Sequence, residues 1–222
     1  MTTRMTDLIG LTRLLTWVSP AFPTGGFAYS HGLEWAVEAG DITDGETLRH
    51  WLAGVIAHGA GRNDTILLRH AHRAADDPAT LRDLAALALA TATSRERRDE
   101  ALAQGRAFLK AAAVWGVPDD LPEDTPHAVA VGAMAGAHGI AEDDTAAAWL
   151  QGFVTTLISA AVRLVPLGQT TGLRVLAALE PVILGTVLDT RDADLDDLGG
   201  CAFRSDLAAM RHETQYSRIF RS

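Results

Sequence analysis

The sequence predicts an all-α fold, a single-domain bundle of about nine or ten helices. Apolar residues recur with helical spacing along almost the whole chain of 222 residues, and no segment alternates as a half-buried strand does. Apolar residues make up 48% of the chain and charged residues 21%, so a large core can be buried. No shift in composition marks a boundary, and residues 1–222 are expected to form one domain.

The first two predicted helices flank an irregular stretch. One helix, with an apolar stripe that includes Leu8, Leu11 and Leu15, should end at Ser19, because the residue before a proline avoids helical geometry. The next helix is expected over residues 27–39. It should stop at the following glycine, a suitable left-handed position.

Start signals place the helices that follow. Thr43 and Glu46 have the spacing of a capping box for a third helix. A fourth helix should follow Gly61, and Asp77-Pro78 should open the next one. Residues 79–115, rich in Ala, Leu and Arg, are expected to give one or two helices.

The second half of the chain begins with an acidic, proline-containing loop at residues 119–126. After it, Gly132 and Gly136 lie four residues apart in a small apolar helix, where another helix could approach closely. Asp144 can cap a long helix, and Pro181 should kink or split the helix after that. A last amphipathic helix leads into the tail.

Residues 19–34 carry the strongest local signal for function. Pro20 and Pro23 lack an N–H, while Gly25 and Gly26 tolerate positive φ, so the chain must bend here. The bend also holds three large aromatic side chains, at Phe22, Phe27 and Tyr29. Two interpretations remain open: the aromatic rings fill the core of an ordinary helix–helix connection, or they meet a partner.

Composition excludes several classes of function. A net charge of −9 argues against a phosphate-backbone partner, and no nucleic acid is expected. Cys201 is the only cysteine, which rules out a Cys-pair metal site within one chain. Lys110, the only lysine, stands in a helical pattern without the glycines of a phosphate-binding loop. No run of about 18 apolar residues or leader-like N-terminus occurs, so we expect a cytoplasmic protein without membrane contact.

Histidines and serines give no clear chemistry. His31 and His212 are candidates only for weak, transient metal ligation, since no helical zinc motif surrounds them, and core or surface roles are the simpler interpretation. Ser30 and His31 are neighbours, and adjacent residues of a helix point about 100° apart. No catalytic residue is therefore expected.

Two arginine-containing segments call for an explanation. Arg163 lies among apolar residues and should be partly buried against a carboxylate or helix-end carbonyls, as a structural clamp with Gln169 or as a ligand contact. In the tail, residues 213–222, Ile219 and Phe220 stand between two arginines. They could fold onto the core or insert into a partner, since aromatic residues with arginine are typical of interface hot spots.

Residues 19–34 resemble the N-terminal signature of the urease accessory protein UreF family. The resemblance continues in further islands that follow the family's order: residues 35–40, 94–98, 163–169 and 218–222. It implies a nickel-insertion chaperone subunit that forms a two-fold dimer. Such a subunit joins UreD, also called UreH, and the GTPase UreG in a complex that delivers nickel to apo-urease.

The resemblance has further implications for this chain. It implies an adaptor and not an enzyme, with no tightly bound cofactor, nickel only in transit, and GTP bound by UreG. The family's tail orders against UreD, and Ile219 here replaces the leucine usual at its position. The small-residue face at Gly132 and Gly136 is a candidate dimer contact. The competing classes are a helical metallochaperone that binds nickel through its own histidines and a stand-alone hydrolase using Ser30 and His31.

The resemblance also implies which residues bind partners. They are Phe22, Pro23, Gly25, Gly26, Phe27, Tyr29, Ser30, Gly32, Leu33, Glu34, Arg163, Gln169, Arg218, Ile219, Phe220, Arg221 and Ser222.

Overall fold

The computed structural model describes residues 2–118 and 120–222, with side chains from residue 8 onward. These residues form ten α-helices and three short 3₁₀ turns, without any strand, which confirms the all-α prediction. The α-helices are α1 (Thr2–Trp17), α2 (Leu33–Glu38), α3 (Gly45–His58), α4 (Ala60–Arg73), α5 (Pro78–Ala90), α6 (Arg95–Ala112), α7 (His127–Ala137), α8 (Glu142–Leu164), α9 (Gly168–Asp189) and α10 (Phe203–His212). Asp119, the first residue of the predicted acidic loop, lies outside the described residues.

Helix α7 is the buried centre of the fold. Every residue from 128 to 135 is buried, and α4 runs parallel to it at close range. A Cβ at Gly132 would stand 2.1 Å from the Leu68 carbonyl oxygen, and one at Gly136 would stand 2.2 Å from that of His72. The glycines therefore permit an internal contact. The predicted dimer contact at Gly132 and Gly136 is wrong, because this face is already covered by α4.

A buried arginine joins α4 to two other helices. Arg69 of α4 is 1% exposed and donates to Glu142 at 2.6 Å and to Asp143 at 2.9 Å, both in the first turn of α8. It also donates to the backbone oxygen of Val187 in α9 at 2.7 Å. Because a buried guanidinium needs charge and hydrogen-bond partners on all sides, this group fixes how the ends of α8 and α9 meet.

Helices α8 and α9 are long and apolar enough, by length and mean hydropathy, to cross a membrane. This is weak evidence, because the core helices of soluble proteins pass the same test. Half of the most apolar window of α8 and a third of that of α9 are buried within the protein. The two helices pack against each other, and α3 packs on α9.

The structure corrects the predicted start of the second helix. Residues 27–39 are not one helix: a 3₁₀ turn covers Gly26–Ala28, and α2 begins only at Leu33. His31 and Gly32 intervene with φ of 56° and 75°, the left-handed region, which breaks any helix that passes through them.

The apolar stripe of α1 is also different from the prediction. Leu8, Leu11 and Leu15 are exposed, whereas Leu14 and Trp17 are buried. Leucines occur on several sides of this helix, so their spacing alone does not identify the face that packs.

Other boundaries shift by one or two residues. Asp44, not Thr43, caps α3, with Thr47 completing the capping box. Asp77 caps α5 with Pro78 in its first turn, as predicted. Helix α8 begins at Glu142, before the predicted cap Asp144.

Pro181 lies inside a continuous α9 and does not split it. Its ring excludes the hydrogen bond to the carbonyl of Ala177. Both residues are exposed, so water can satisfy that oxygen and the helix continues.

Candidate functional site

The last five residues of the chain fold back onto the start of α2 and the first turns of α6. We call this region the tail junction; it comprises Ser30, His31, Glu34, Arg97, Glu100, His212 and residues 218–222. It brings together three of the predicted islands, which are far apart in sequence. The geometry of the junction is set mainly by two buried carboxylates.

Glu34 holds the main chain of the tail. Its two carboxylate oxygens accept hydrogen bonds from the backbone N–H groups of Ile219, at 2.7 Å, and Phe220, at 2.9 Å. The ring Nε2 of His212 lies 3.2 Å from the same carboxylate, and its Nδ1 lies 2.6 Å from Glu96. Since Glu34 is buried, these contacts compensate for the loss of water around its charge.

Glu100 holds the end of the tail from the other side. Its carboxylate lies 2.8 Å from His31 Nε2 and 2.5 Å from Arg97, and it accepts a 2.7 Å hydrogen bond from the Ser222 hydroxyl. Burial would raise the pKa of Glu100. The nearby Arg97 and His31 and the Ser222 hydroxyl outweigh it and lower the pKa to about 2. Glu100 is therefore an anion at every physiological pH.

Backbone and hydroxyl contacts complete the attachment. The Ser30 N–H donates to the backbone oxygen of Ser222 at 2.8 Å, and the Ser30 hydroxyl makes a second hydrogen bond to the same oxygen. The Arg221 N–H donates to the Ala28 carbonyl at 2.8 Å. Ser30 is thus engaged by the tail, and its hydroxyl has no hydrogen bond to the ring of His31.

Phe220 is the apolar anchor of the tail, and it points into this chain. Its side chain is 4% exposed, and the guanidinium carbon of Arg163 lies 4.4 Å from the ring centroid. Arg163 also donates to the Phe27 carbonyl at 2.8 Å. The predicted clamp at Arg163 is present, but its side chain is exposed rather than partly buried.

This placement corrects the idea that the tail inserts Phe220 into a partner, since the core of the same chain already surrounds the ring. The outward side of the junction is formed by other residues. Tyr216 is fully exposed, Ile219 and Phe27 are 67% and 75% exposed, and Arg221 also faces solvent. Pro23, Arg218 and Gln169 are also exposed.

The loop formed by residues 19–34 lies beneath this surface. The rings of Phe22 and Phe108 lie 5.6 Å apart in the core, and Tyr29 and Leu33 are buried with them. Gly25 has a positive φ of 75°, as the sequence predicts, whereas the φ of Gly26 is not in the left-handed region. A Cβ at Gly26 would make only ordinary contacts, the shortest at 3.6 Å.

Gly32 is the most constrained glycine of the loop. Its φ is 75°, and a Cβ there would lie 2.5 Å from the backbone nitrogen of Ala209 in α10. This glycine therefore allows α10 to rest directly on the start of α2 and to present His212 to Glu34.

A cavity of about 360 Å³ opens beside the junction, between the loop and α4, α6, α8 and α9. Its lining includes His31 and Glu100 on the junction side and Asp64 and His127 on the other. Burial raises the pKa of Asp64 to about 6 and lowers that of His127 to about 4. Asp64 carries no sequence signal of its own; only the parallel packing of α4 and α7, which sets it beside the first turn of α7, reveals it.

The two histidines considered as weak metal ligands are occupied by protein groups. His31 faces Glu100 and Arg97, and both ring nitrogens of His212 face carboxylates. Within the described part of the chain, no group of three or more His, Cys, Asp or Glu side chains is arranged to hold a metal ion.

Comparison with known proteins identifies the family. The UreF family profile matches residues 42–180, well over half of the chain. The chain belongs to the UreF family.

Curated relatives match over almost their whole length. Urease accessory protein UreF of Rhodopseudomonas palustris strain BisB18 is 50% identical, covering 96% of this chain and 92% of the relative. The UreF of Bradyrhizobium sp. strain BTAi1 is 51% identical, with 97% and 93% covered, and that of Mesorhizobium japonicum is 50% identical, with 96% and 97% covered. All three are named as urease accessory proteins, and this UreF-family chain is accordingly a urease accessory protein rather than an enzyme.

Proposed function

We propose that this chain is the adaptor of a urease maturation complex that joins UreD/UreH and the GTPase UreG and delivers nickel to apo-urease. The observation that carries the proposal is the identity of about 50%, over nearly the whole chain, to proteins named urease accessory protein UreF. Nickel is cargo in this scheme, and GTP is bound by UreG. The adaptor acts in the cytoplasm.

The surface proposed to bind UreD is the outward side of the tail junction. Tyr216 and Ile219 supply exposed apolar area, and Phe27 lies on the neighbouring loop. Glu34, Glu100 and Phe220 act beneath this surface by holding the tail in one conformation. A fixed segment loses less conformational entropy on binding than a mobile one, which favours affinity.

Co-purification tests the proposal. Tagged UreD and UreG should retain the wild-type chain, and urease should become active in cells that contain all accessory proteins but not in cells that lack this one. Failure to bind either partner, or activation without this chain, would contradict the adaptor function. Stoichiometric nickel binding by the isolated chain at micromolar affinity would instead favour the metallochaperone.

The surface is tested separately by a paired substitution. Tyr216→Ala with Ile219→Ala should weaken UreD binding at least tenfold, equivalent to about 1.4 kcal/mol, because both remove exposed apolar area. Leu188→Ala is the control: Leu188 is also exposed, at 58%, but lies in the last turn of α9, roughly 30 Å along that helix from Gln169. Equal affinities for the paired variant and the control would place UreD on another surface.

We also propose that the chain is a homodimer, alone or when bound to UreD, as the family resemblance implies. Light scattering tests this proposal. A monomeric mass for the free chain, together with one copy of the chain in the UreD complex, would contradict it.

A further inference from the structure

The cavity beside the tail junction holds a negative charge without a partner. Its charged and titratable groups are Asp64, Arg97, Glu100, His31 and His127. Arg97 and Glu100 form an ion pair at 2.5 Å and cancel each other. Burial lowers the pKa of His31 and lowers that of His127 to about 4, which favours the neutral form of both rings. The carboxylate of Asp64 is left uncompensated.

Nothing in the described part of the chain hydrogen-bonds that carboxylate. Among the residues that the structure describes, Arg97 is the cation that acts on Asp64, through space, and Arg97 is engaged by Glu100 and His31. On the same side of the cavity, Nε2 of His127 is buried without a hydrogen-bond partner. A carboxylate that faces a cavity normally has a cation or a hydrogen-bond donor as its partner, so the unpaired Asp64 suggests that a cationic group is bound there.

The register of the helices places the two groups near each other. Gly132 packs on Leu68 and Gly136 on His72, an offset of 64 residues along parallel helices. Asp64 is thus level with Ala128 and lies beside His127. A polar head that enters the cavity beside the first turn of α7 could therefore reach the carboxylate.

The rest of the cavity is apolar. Its walls include Trp149, Phe153, Ile158 and Leu176, with the rings of Trp149 and Phe153 stacked 5.5 Å apart. A volume of about 360 Å³ lies at the low end of the range for organic ligands, roughly 300–1,000 Å³. The cavity therefore suits a slender apolar stem that ends in one positive charge.

The mouth of the cavity resembles a protein interface. Phe27 and Leu173 are both more than 60% exposed there, and Gln169 and Pro20 are exposed beside them. Phe27 also belongs to the surface proposed to bind UreD, so the cavity opens within that surface. An exposed ring at the entrance can cover the stem or face of a cationic group.

We propose that this cavity receives a long cationic side chain, arginine or lysine, that projects from a partner protein and pairs with Asp64. The aliphatic stem lies against the apolar walls, and the charged head donates to Asp64. This inference rests on the adaptor function for the identity of its occupant, but the chemistry of the cavity can be tested without any partner.

The first experiment titrates the intact chain with n-butylguanidinium and with its neutral counterpart n-butylurea, by calorimetry at pH 7.5. The cation should bind at least tenfold more tightly than the urea. Asp64→Asn should abolish that preference. Asp83→Asn, which removes one exposed charge from α5 and so changes the net charge equally, should leave it intact.

Three results would overturn the proposal. Equal binding of n-butylguanidinium and n-butylurea would show that the cavity binds only their apolar part. An equal loss of the preference for the cation in Asp64→Asn and Asp83→Asn would show a nonspecific effect of net charge. Asp64-dependent binding of Ni²⁺, with none of n-butylguanidinium, would make the cavity a metal site. Thermal melts of both variants establish that they are folded.

The second experiment identifies the source of the cation. Asp64→Asn should weaken assembly with UreD and UreG at least tenfold while Asp83→Asn does not, and excess n-butylguanidinium should compete with assembly of the wild type. If n-butylguanidinium binds but neither Asp64→Asn nor excess n-butylguanidinium affects assembly, the cavity binds free small molecules and the side-chain proposal is wrong. If the wild type never assembles, the adaptor function fails, and the titration still decides the chemistry of the cavity.

Discussion

At the scale of single residues, Gly32 combines two separate constraints. Its φ of 75° is costly for any other residue, and the backbone of Ala209 occupies the space of a Cβ. Gly40 has the same torsion, φ 78°, but nothing lies within 4 Å of its would-be Cβ. The two glycines therefore separate the cost of backbone strain from the cost of a steric clash.

We expect Gly40→Ala to destabilise the protein by about 1 kcal/mol, the cost of a left-handed alanine. Gly32→Ala should cost clearly more, because α10 must also move away from α2. Urea unfolding of both variants measures the two costs. Equal losses would mean that α10 accommodates the methyl group without strain.

Asp64 gives a second prediction at this scale. Its pKa rises from 3.8 to about 6 on folding, so the ionised form opposes folding. Asp64→Asn should therefore stabilise the free protein at pH 7.5, by about 1–3 kcal/mol. The difference should shrink as the pH falls through 6 toward 4, because the wild-type carboxyl then becomes protonated in the folded state. Paired urea titrations at pH 7.5 and pH 4.5 test this, and a destabilised variant at pH 7.5 would contradict it.

Such a gain in stability would be informative about the cavity. A carboxylate that reduces the stability of the fold but is required for binding is typical of functional sites. Asp83→Asn, on the exposed side of α5, should leave stability nearly unchanged at both pH values.

At the scale of elements, the tail contributes to the fold as well as to the proposed interface. Deleting residues 218–222 removes the buried ring of Phe220 and takes from Glu34 and Glu100 the donors that compensate their burial. We therefore expect the truncated chain to keep its helicity but to melt several degrees lower, since unpaired buried charges cost several kcal/mol.

Circular dichroism of the truncated and full-length chains measures this effect. The control is the paired variant Tyr216→Ala with Ile219→Ala, whose side chains are exposed and whose melting temperature should stay within about one degree of the wild type. An unchanged melting temperature after truncation would mean that the tail contacts contribute nothing in solution.

The elements also show where sequence analysis succeeds and where it stops. Asp77-Pro78 and the break before Pro20 act locally, through caps and proline sterics, and their consequences were predictable. The burial of Leu14 in place of Leu8, and the role of Gly132 inside the fold, depend on which helix packs opposite. Likewise, residues 94–98 and 218–222 could be recognised as conspicuous, but only the folded chain brings Arg97, Glu100 and Ser222 together.

At the scale of the whole molecule, the buried titratable groups determine the response to acid. His127 opposes protonation, so stability falls as the pH drops from about 6.5 toward 4, while Asp64 has the opposite effect over a similar range. Below about pH 4.5 Glu100 dominates: its pKa is near 2 in the fold, and its contribution is lost as the pH falls toward that value. Glu142 and Asp143, whose pKa values are lowered by the arginines around them, act in the same direction.

Burial also lowers the pKa of His31, which acts in the same direction as His127, so the protein should be less stable at pH 5 than at pH 7 and much less stable at pH 3. Urea midpoints at the three pH values test the prediction, and Glu100→Gln should show a smaller fall between pH 5 and pH 3 than the wild type. An undiminished midpoint at pH 3 would contradict the assigned role of the buried carboxylates.

The manner in which Glu34 holds the tail has a consequence for evolution. Its oxygens bind the N–H groups of Ile219 and Phe220, which every residue except proline possesses. The Glu34 carboxylate therefore binds the main chain of the tail, and this binding does not depend on which side chain stands at position 219. Substitutions there can accumulate and follow changes in a partner's surface without loosening the attachment. Because Glu34 contacts only the backbone of the tail, the exposed side chains of the tail can coevolve with the surface of a partner.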